Sequence, residues 1–422
     1  MNPIAKKFSL SQWLSWMEQC HPSEIELGLD RVSAVSQLLA IDLSSSKVVT
    51  VAGTNGKGST VSYLDAIYKH AGYSVGCFTS PHFLHYNERV RIDALNASDE
   101  QLCAAFERID QARGQIPLTY FEFGTLAALV IFTELKPDLV LLEVGLGGRL
   151  DAVNIIDADI SIVTTVALDH MDWLGDDREI IGREKSGVYR ANKPAICGDL
   201  NPPLSVSGYA TEIGAEFYQA GQQFSYEIKE NGCWDWRGAK TGVSVALTEL
   251  PKPNLPIQNA STVLQAIQCI GLSVNEESIR VGIEMASLTG RMQLIQDGAT
   301  NYWLDVAHNP EAATLLAERV SLMEGEVTLV LGMLADKDCR QVMDIITPKI
   351  DRICLVDLHV PRGQTASELE GCISSGASAE KYSSVKKALI ALKNDDNLSG
   401  NVIIAGSFFT VSDALTVFGK EG

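Results

Sequence analysis

Basic residues are scarce in this chain: 34 Lys and Arg stand against 53 Asp and Glu, a formal net charge of −19 at pH 7. Clustered cations carry the affinity for nucleic acid and for anionic membranes, so neither is an expected partner, and any bound anion must be captured by a local device. Metal-knuckle spacing is missing as well. Cys20, Cys77, Cys103, Cys197, Cys233, Cys269, Cys339, Cys354 and Cys372 include no C-x-x-C pair, which predicts neither a zinc site nor a disulfide framework but buried thiols in a reducing compartment. No apolar run approaches the roughly 18 residues that span a bilayer. The opening stretch MNPIAKKFSLSQWLSWMEQC lacks the apolar core of a secretory leader, and the expected location is cytoplasmic. Internal repeats and low-complexity tracts are lacking too, which sets solenoid architectures aside.

What is there is ordinary globular material, 46% hydrophobic and 21% charged over 422 residues, too long for one compact core and so expected in two domains. Between residues 47 and 170 an aliphatic run, a turn and a helical pattern recur, the signature of a parallel α/β sheet. The expected strands are KVVTVAG (47–53), SVGCFTS (74–80), DLVLLEVG (138–145) and DISIVTTVALDH (159–170). Their near-continuous apolar character fits strands covered on both faces. Residues 199–258 change character, with Asn231-Gly232 as a hairpin turn and the Pro-rich LPKPNLPIQ, and read as peripheral to the sheet. Helical stretches at 259–271 and 275–287 follow. Thr289-Gly290 is expected to end a helix and open a linker, giving domains 1–289 and 290–422. The α/β alternation restarts in NYWLDVAHNP, EVTLVLGML, DRICLVDL and NVIIAGSFF, a second, smaller α/β domain.

The chemistry begins at TVAGTNGKGST (50–60). The general phosphate-loop expression G-x-x-x-x-G-K-[ST] fails, because two residues separate Gly53 from Gly56 and Gly58 separates Lys57 from Ser59. The physics survives: strand, glycine-rich turn and helix start supply backbone N–H groups and a positive dipole end for phosphate, with Lys57 as a point charge. The other strands end in Ser80, Glu143 and His170, and parallel strands open their carboxyl ends into the crevice where such sheets bind ligands. Magnesium prefers hard oxygen donors, so Ser59 or Ser80 and Glu143 suit it, with His170 a less usual member. Plainer readings stand beside these: Ser80 before Pro81 starting a turn, Glu143 paired with Arg149, His170 filling a buried hydrogen bond, Lys185 a solvated helix charge. In the second domain Asp305 and His308 leave a strand ahead of a helix start at Asn309-Pro310, and Ser407 occupies a similar strand end.

Together AGTNGKGS, TSPH, LTYFEFGT, LEVGLGGRLDA, ALDHMDWLG, REKSG and DVAHNP resemble, in order, the bifunctional dihydrofolate synthase/folylpolyglutamate synthases of the Mur ligase superfamily. The resemblance implies an N-terminal P-loop parallel-sheet domain and a smaller Rossmann-like C-terminal domain. It implies an ATP-dependent amide ligase that adds L-glutamate to dihydropteroate and further glutamates to reduced folates through an acyl phosphate. Thr54, Asn55, Gly56, Lys57, Gly58 and Ser59 then match the phosphate-binding turn, and Ser59, Ser80, Glu143 and His170 the Mg²⁺ site. Asn259, Arg291 and Asp305 match ATP-contacting positions. Lys185 matches a lysine that is carbamylated in the family and serves a second Mg²⁺. Glu26, Leu27, Gly28 and Leu29, then Thr119, Tyr120, Phe121 and Glu122, then Leu150, Asp151 and Ala152 match the dihydropteroate pocket, where Phe121 would stack on the flat ring. His308 and Ser407 match positions that handle glutamate, and the family guess for assembly is a monomer. The sequence departs from the expected Ser-Phe-His-Thr at Ser407-Phe408-Phe409-Thr410, so a histidine role there is missing. Two rival readings are a cell-wall Mur ligase, whose extra UDP-binding domain has too little chain ahead of Gly53, and a nucleotide switch, which needs no second-metal lysine.

Overall fold

The near-continuous apolar runs become strands because they bury both faces, and the helices between them cover those faces. In the computed structural model the described residues are 8–21, 26–240, 242–298, 300–374, 378–395, 398 and 400–419. The first seven residues of the stretch read above for a leader lie outside them. The chain divides into two units: residues up to His82 with Tyr86–Ala286, and Phe83–His85 with Ser287 onward.

The first unit is built on eight strands: β1 (Lys47–Ala52), β2 (Val75–Phe78), β3 (Val90–Ile92), β4 (Leu95–Asn96), β5 (Leu139–Glu143), β6 (Ile160–Val163), β7 (Pro194–Cys197) and β8 (Glu216–Gln219). Their order is β4-β3-β2-β5-β1-β6-β7-β8. The six strands from β2 to β8 along that order are parallel, and the short β3 and β4 add antiparallel pairs at one edge. Val51 lies opposite both Glu143 and Ile162, so β1, β5 and β6 finish level. A separate antiparallel sheet of β9 (Ser225–Ile228), β10 (Trp234–Lys240) and β11 (Val243–Leu250) follows. Its hairpin turns at Gly232 (φ 83°). The buried Trp236 fastens it, the indole N–H donating to the Ser261 carbonyl at 3.1 Å.

The second unit holds β12 (Gln293–Asp297), β13 (Thr300–Asp305), β14 (Val327–Leu331), β15 (Arg352–Val356), β16 (Ala379–Tyr382) and β17 (Asn401–Ala405), ordered β12-β13-β17-β14-β15-β16. Among the described residues only β12 is antiparallel to its neighbour. Phe83 belongs to this unit's core. Its ring lies 5.1 Å from that of Phe408, and its carbonyl accepts from Ser412 Oγ at 2.8 Å.

Three expectations are corrected. β6 stops at Val163, so His170 is on a loop and not at a strand end. The ladder ends there because the next residues serve the glycine loop: the Thr165 carbonyl accepts from Thr54 N at 2.8 Å, and Thr164 Oγ1 donates to the Asn55 carbonyl. The helix expected to end at Thr289-Gly290 spans Glu276–Met285 and ends when Ala286 turns extended (ψ 124°). The cysteines are not all buried thiols: Cys339 and Cys372 form a disulfide, and Cys20, Cys103, Cys233 and Cys269 are partly exposed. The pair meets because one helix starts at Cys339 and another, Ala366–Glu370, ends just before Cys372, leaving their Cα atoms 6.1 Å apart, within bridging range. Among the described residues no helix is long and apolar enough to cross a membrane.

Candidate active site

The glycine loop owes its course to two positions where a side chain would be strained. Gly53 (φ 146°) lies so close to Thr164 that a Cβ there would overlap Oγ1, and a Cβ on Gly56 (φ 88°) would come within 2.7 Å of Asn259 Oδ1. Both backbone angles favour glycine. Asn55 N donates to Thr165 Oγ1 at 3.2 Å, so the hydroxyls of Thr164 and Thr165, which the sequence reading missed, set the turn. The helix Lys57–His70 then begins at Gly56 with no side-chain cap. Its first-turn amides, on Lys57, Gly58 and Ser59, have no partner within the helix and sit at the positive end of its dipole. Lys57 Nζ donates to the carbonyls of Gly53 at 2.9 Å and Thr54 at 3.1 Å.

Beside this turn Glu143 ends β5, buried, with Oε2 accepting from Ser80 N at 3.1 Å. Arg149 pairs instead with Glu184, Nη2 to Oε1 at 2.8 Å. His170 is nearly half exposed on its loop (φ 52°), with Nε2 3.9 Å from Asp169 Oδ2, so a buried hydrogen bond is not its role. Lys185, in the last turn of the helix Arg178–Ser186, is buried and not a solvated charge. Burial, reinforced by the charge of Lys57 and opposed by Asp169 and Asp151, holds its ammonium pKa down near 7. Among the described residues no three His, Cys, Asp or Glu side chains converge as a metal cage. The nearby donors are a carboxylate and hydroxyls, the hard oxygens that Mg²⁺ accepts alongside water and phosphate.

The three segments read as the pterin pocket are linked. Gly28 N donates to the Leu150 carbonyl at 3.4 Å, which ties the Glu26–Leu29 stretch to Leu150–Ala152. Asp151 is buried, Oδ2 accepting from Gly145 N at 3.0 Å and Leu146 N at 2.8 Å, Oδ1 from Val153 N at 3.1 Å. Burial pushes its carboxyl up to about 6 against those bonds. Phe121 lies over Gly145, where a Cβ would come within 2.6 Å of the ring, and 5.8 Å from the Phe78 ring. Thr119 and Glu122 form a reciprocal cap on the helix Tyr120–Leu135, and the Tyr120 ring faces the Arg89 guanidinium at 5.7 Å.

In the second unit Asp305 ends β13, buried, its Oδ2 accepting from Met292 N at 3.0 Å and Oδ1 from Ala307 N at 2.9 Å. Burial raises its carboxyl pKa while Arg291 pulls it back. Phe408, which the sequence reading passed over, gathers its neighbours: the Arg291 guanidinium lies 5.5 Å over the ring, and the His308 ring is 6.4 Å away. Ser407 caps the helix Phe408–Phe418, Oγ accepting from Thr410 N at 3.0 Å. Phe409, at the position expected to be histidine, is 44% exposed.

Residues 290–408 match the family model described as Mur ligase, glutamate ligase domain. Over 410 residues the chain is 43% identical to the dihydrofolate synthase/folylpolyglutamate synthase of Escherichia coli (strain K12), covering 97% of this chain and 95% of that protein. The solved E. coli FolC in complex with DHPP and ADP has TM-score 0.93 at 42% identity, covering 99% of each chain. A solved bifunctional folylpolyglutamate synthase/dihydrofolate synthase with Mn, AMPPNP and L-glutamate bound has TM-score 0.91 at 42% identity, covering 99% of this chain and 100% of that one.

Proposed function

Because this chain belongs to the dihydrofolate synthase/folylpolyglutamate synthase family, we propose that it joins L-glutamate to 7,8-dihydropteroate, giving dihydrofolate, and adds further glutamates to reduced folates. It is an ATP-dependent acid–amino-acid ligase. The observation that carries the reading is the uncapped helix start at Gly56 beside the buried Glu143, a phosphate seat with a hard anionic oxygen at its edge.

The chemistry has to overcome a poor electrophile: an amine does not displace oxide from a carboxylate at neutral pH. Transfer of the γ-phosphoryl group of ATP to the acceptor carboxylate forms an acyl–oxygen–phosphorus link and releases ADP. The glutamate amine then attacks the acyl carbon, a proton leaves the nitrogen, and phosphate departs. Phosphoryl transfer depends mainly on positioning and charge neutralisation. In this reading the loop from Thr54 to Ser59 holds the phosphates, and Lys57 leaves its two carbonyls to meet them. When bound, Mg²⁺ would draw charge from the phosphate oxygens, held by Glu143, Ser80, Ser59 and His170.

Asn259, Arg291 and Asp305 contact ATP in this assignment, and His308 and Ser407 handle glutamate. Pterin lies on Phe121 between the Glu26–Leu29, Thr119–Glu122 and Leu150–Ala152 segments. Domain 1–289 thereby binds ATP and pterin, and domain 290–422 adds ATP and glutamate contacts. Lys185 is carbamylated: its neutral amine adds to carbon dioxide, forming an N–C bond and losing a proton, so that an anion replaces a cation near the metal. The enzyme acts as a cytoplasmic monomer.

The deciding experiment measures ADP formation with ATP, Mg²⁺ and L-glutamate, with dihydropteroate and a tetrahydrofolate offered separately and products identified by mass. Both acceptors should gain glutamate. Addition to the tetrahydrofolate alone reduces the enzyme to a polyglutamylating one, and addition to neither restores the Mur-like and switch readings.

A further inference from the structure

One side chain outside all three acceptor segments fastens two of them together. Arg31 lies in the first turn of the helix Asp30–Leu38. Its Nη2 donates to the Glu26 backbone carbonyl at 3.0 Å and to Glu122 Oε1 at 3.1 Å, and its Nη1 donates to Glu26 Oε1. The two carboxylates differ in setting. The Glu122 side chain is 4% exposed and the Glu26 side chain 46%. Glu122 has already committed Oε2 to Thr119 N at 2.8 Å, so Arg31 supplies the countercharge to a buried carboxylate at the helix start that carries Phe121. The other Glu26 oxygen, Oε2, faces His21 Nε2 at 3.1 Å.

The Glu26–Gly28 backbone has no helix or strand to fix it. Its place is set by the guanidinium at one end and by the bond from Gly28 N to the Leu150 carbonyl at the other. We propose that Arg31 is the positioning residue of the acceptor pocket: it holds the Glu26–Leu29 wall against the Thr119–Glu122 wall so that a flat heteroaromatic acceptor finds a preformed slot. It acts through Glu26 and Glu122, and does not touch the acceptor. The planar fork is what the task needs, since it serves two carboxylates and a carbonyl at fixed angles, which a lysine ammonium cannot reproduce. The identity of the acceptor rests on the ligase reading above; the clamp itself does not.

The test compares Arg31→Met and Arg31→Lys with the unaltered enzyme in steady-state kinetics, and follows amide hydrogen exchange at Gly28. In Arg31→Met the KM for dihydropteroate should rise about tenfold or more, with the KM values for ATP and L-glutamate within about twofold, and Gly28 exchange should quicken. Arg31→Lys should recover only part of the loss. Glu26→Gln loosens the exposed end of the clamp without leaving Glu122 unpaired, and should show the same selective rise even if Arg31→Met fails to fold. An unchanged dihydropteroate KM, a parallel rise in all three KM values, or unaltered Gly28 exchange overturns the proposal. If the unaltered enzyme transfers no glutamate, the ligase reading fails, and Gly28 exchange alone decides whether Arg31 clamps the loop.

Discussion

In the first unit the helix after β1 starts at Gly56 with no side-chain cap, whereas in the second unit the helices after β13 and β17 start at Asn309 and Ser407, whose side chains accept from Ala312 and Thr410. The strand–turn–helix geometry is shared. The difference is where the donors go. A side-chain cap contributes about 1 kcal/mol and closes the helix end to other anions, while an uncapped end keeps its N–H groups and dipole for a ligand. In the proposed reading, phosphate is therefore assigned to the first unit's turn, and the corresponding turns of the second unit are assigned side-chain roles through Asp305 and His308.

The largest effect should come from closing the open end. Gly56→Ala forces an unfavourable φ of 88° and drives a Cβ into Asn259, so nucleotide affinity should fall at least about 100-fold by calorimetry, given a strain of a few kcal/mol. Unchanged affinity would mean that the loop is not the phosphate seat. Lys185→Ala should lose most ligase activity while keeping ATP binding, and decarbamylated unaltered enzyme should recover with bicarbonate; full activity in the variant removes the carbamate. Glu143→Gln should cut Mg²⁺-dependent turnover by roughly 100-fold, the scale of losing one electrostatic stabiliser, with little change in Tm. A parallel loss of stability would mark Glu143 as structural.

A pH experiment sharpens the electrostatic half of the comparison. Lys185 is held near 7 in the folded chain against 10.5 unperturbed, so between those values the unfolded chain binds the extra proton. Stability contributed by this site should rise with pH across that window, and its penalty should be complete below 7. Urea unfolding at pH 7 and pH 9 in carbon-dioxide-free buffer should show that slope, and Lys185→Met should lose it. The smallest effects concern the closed ends: Asn309→Ala and Ser407→Ala should each lose about 1 kcal/mol in urea. Only Ser407→Ala should also raise the glutamate KM, and the same rise in both variants would reduce Ser407 to a cap.

The strands that position the turn were legible because burial on both faces writes itself as an apolar run, as in Val48–Ala52 and Leu139–Leu142. The loop was legible through its glycines even though the general expression missed it. Strands β3, β4 and β12 left little trace, being short or partly exposed. Lys185 could not be read as buried from sequence, because its surroundings come from Lys57, Asp151 and Asp169, all distant in the chain or on another element. The same holds for Cys339 and Cys372, joined across a separation of 33 residues. Thr119 and Ser407 cap their helices, and Glu122 adds to its cap the ion pair with Arg31, local uses that motif comparison does not separate from ligand contact.

Phe83 carries a consequence for modularity. The second unit draws Phe83–His85 from the middle of the first unit's sequence, and the Phe83 ring fills space against Gly290, Phe408 and Val411. A fragment starting at Ser287 would expose that seat and leave Ser412 Oγ without its carbonyl partner. The glutamate ligase unit is thus an interrupted module, whose evolutionary transplantation needs three residues that are translated some two hundred positions before the rest of it.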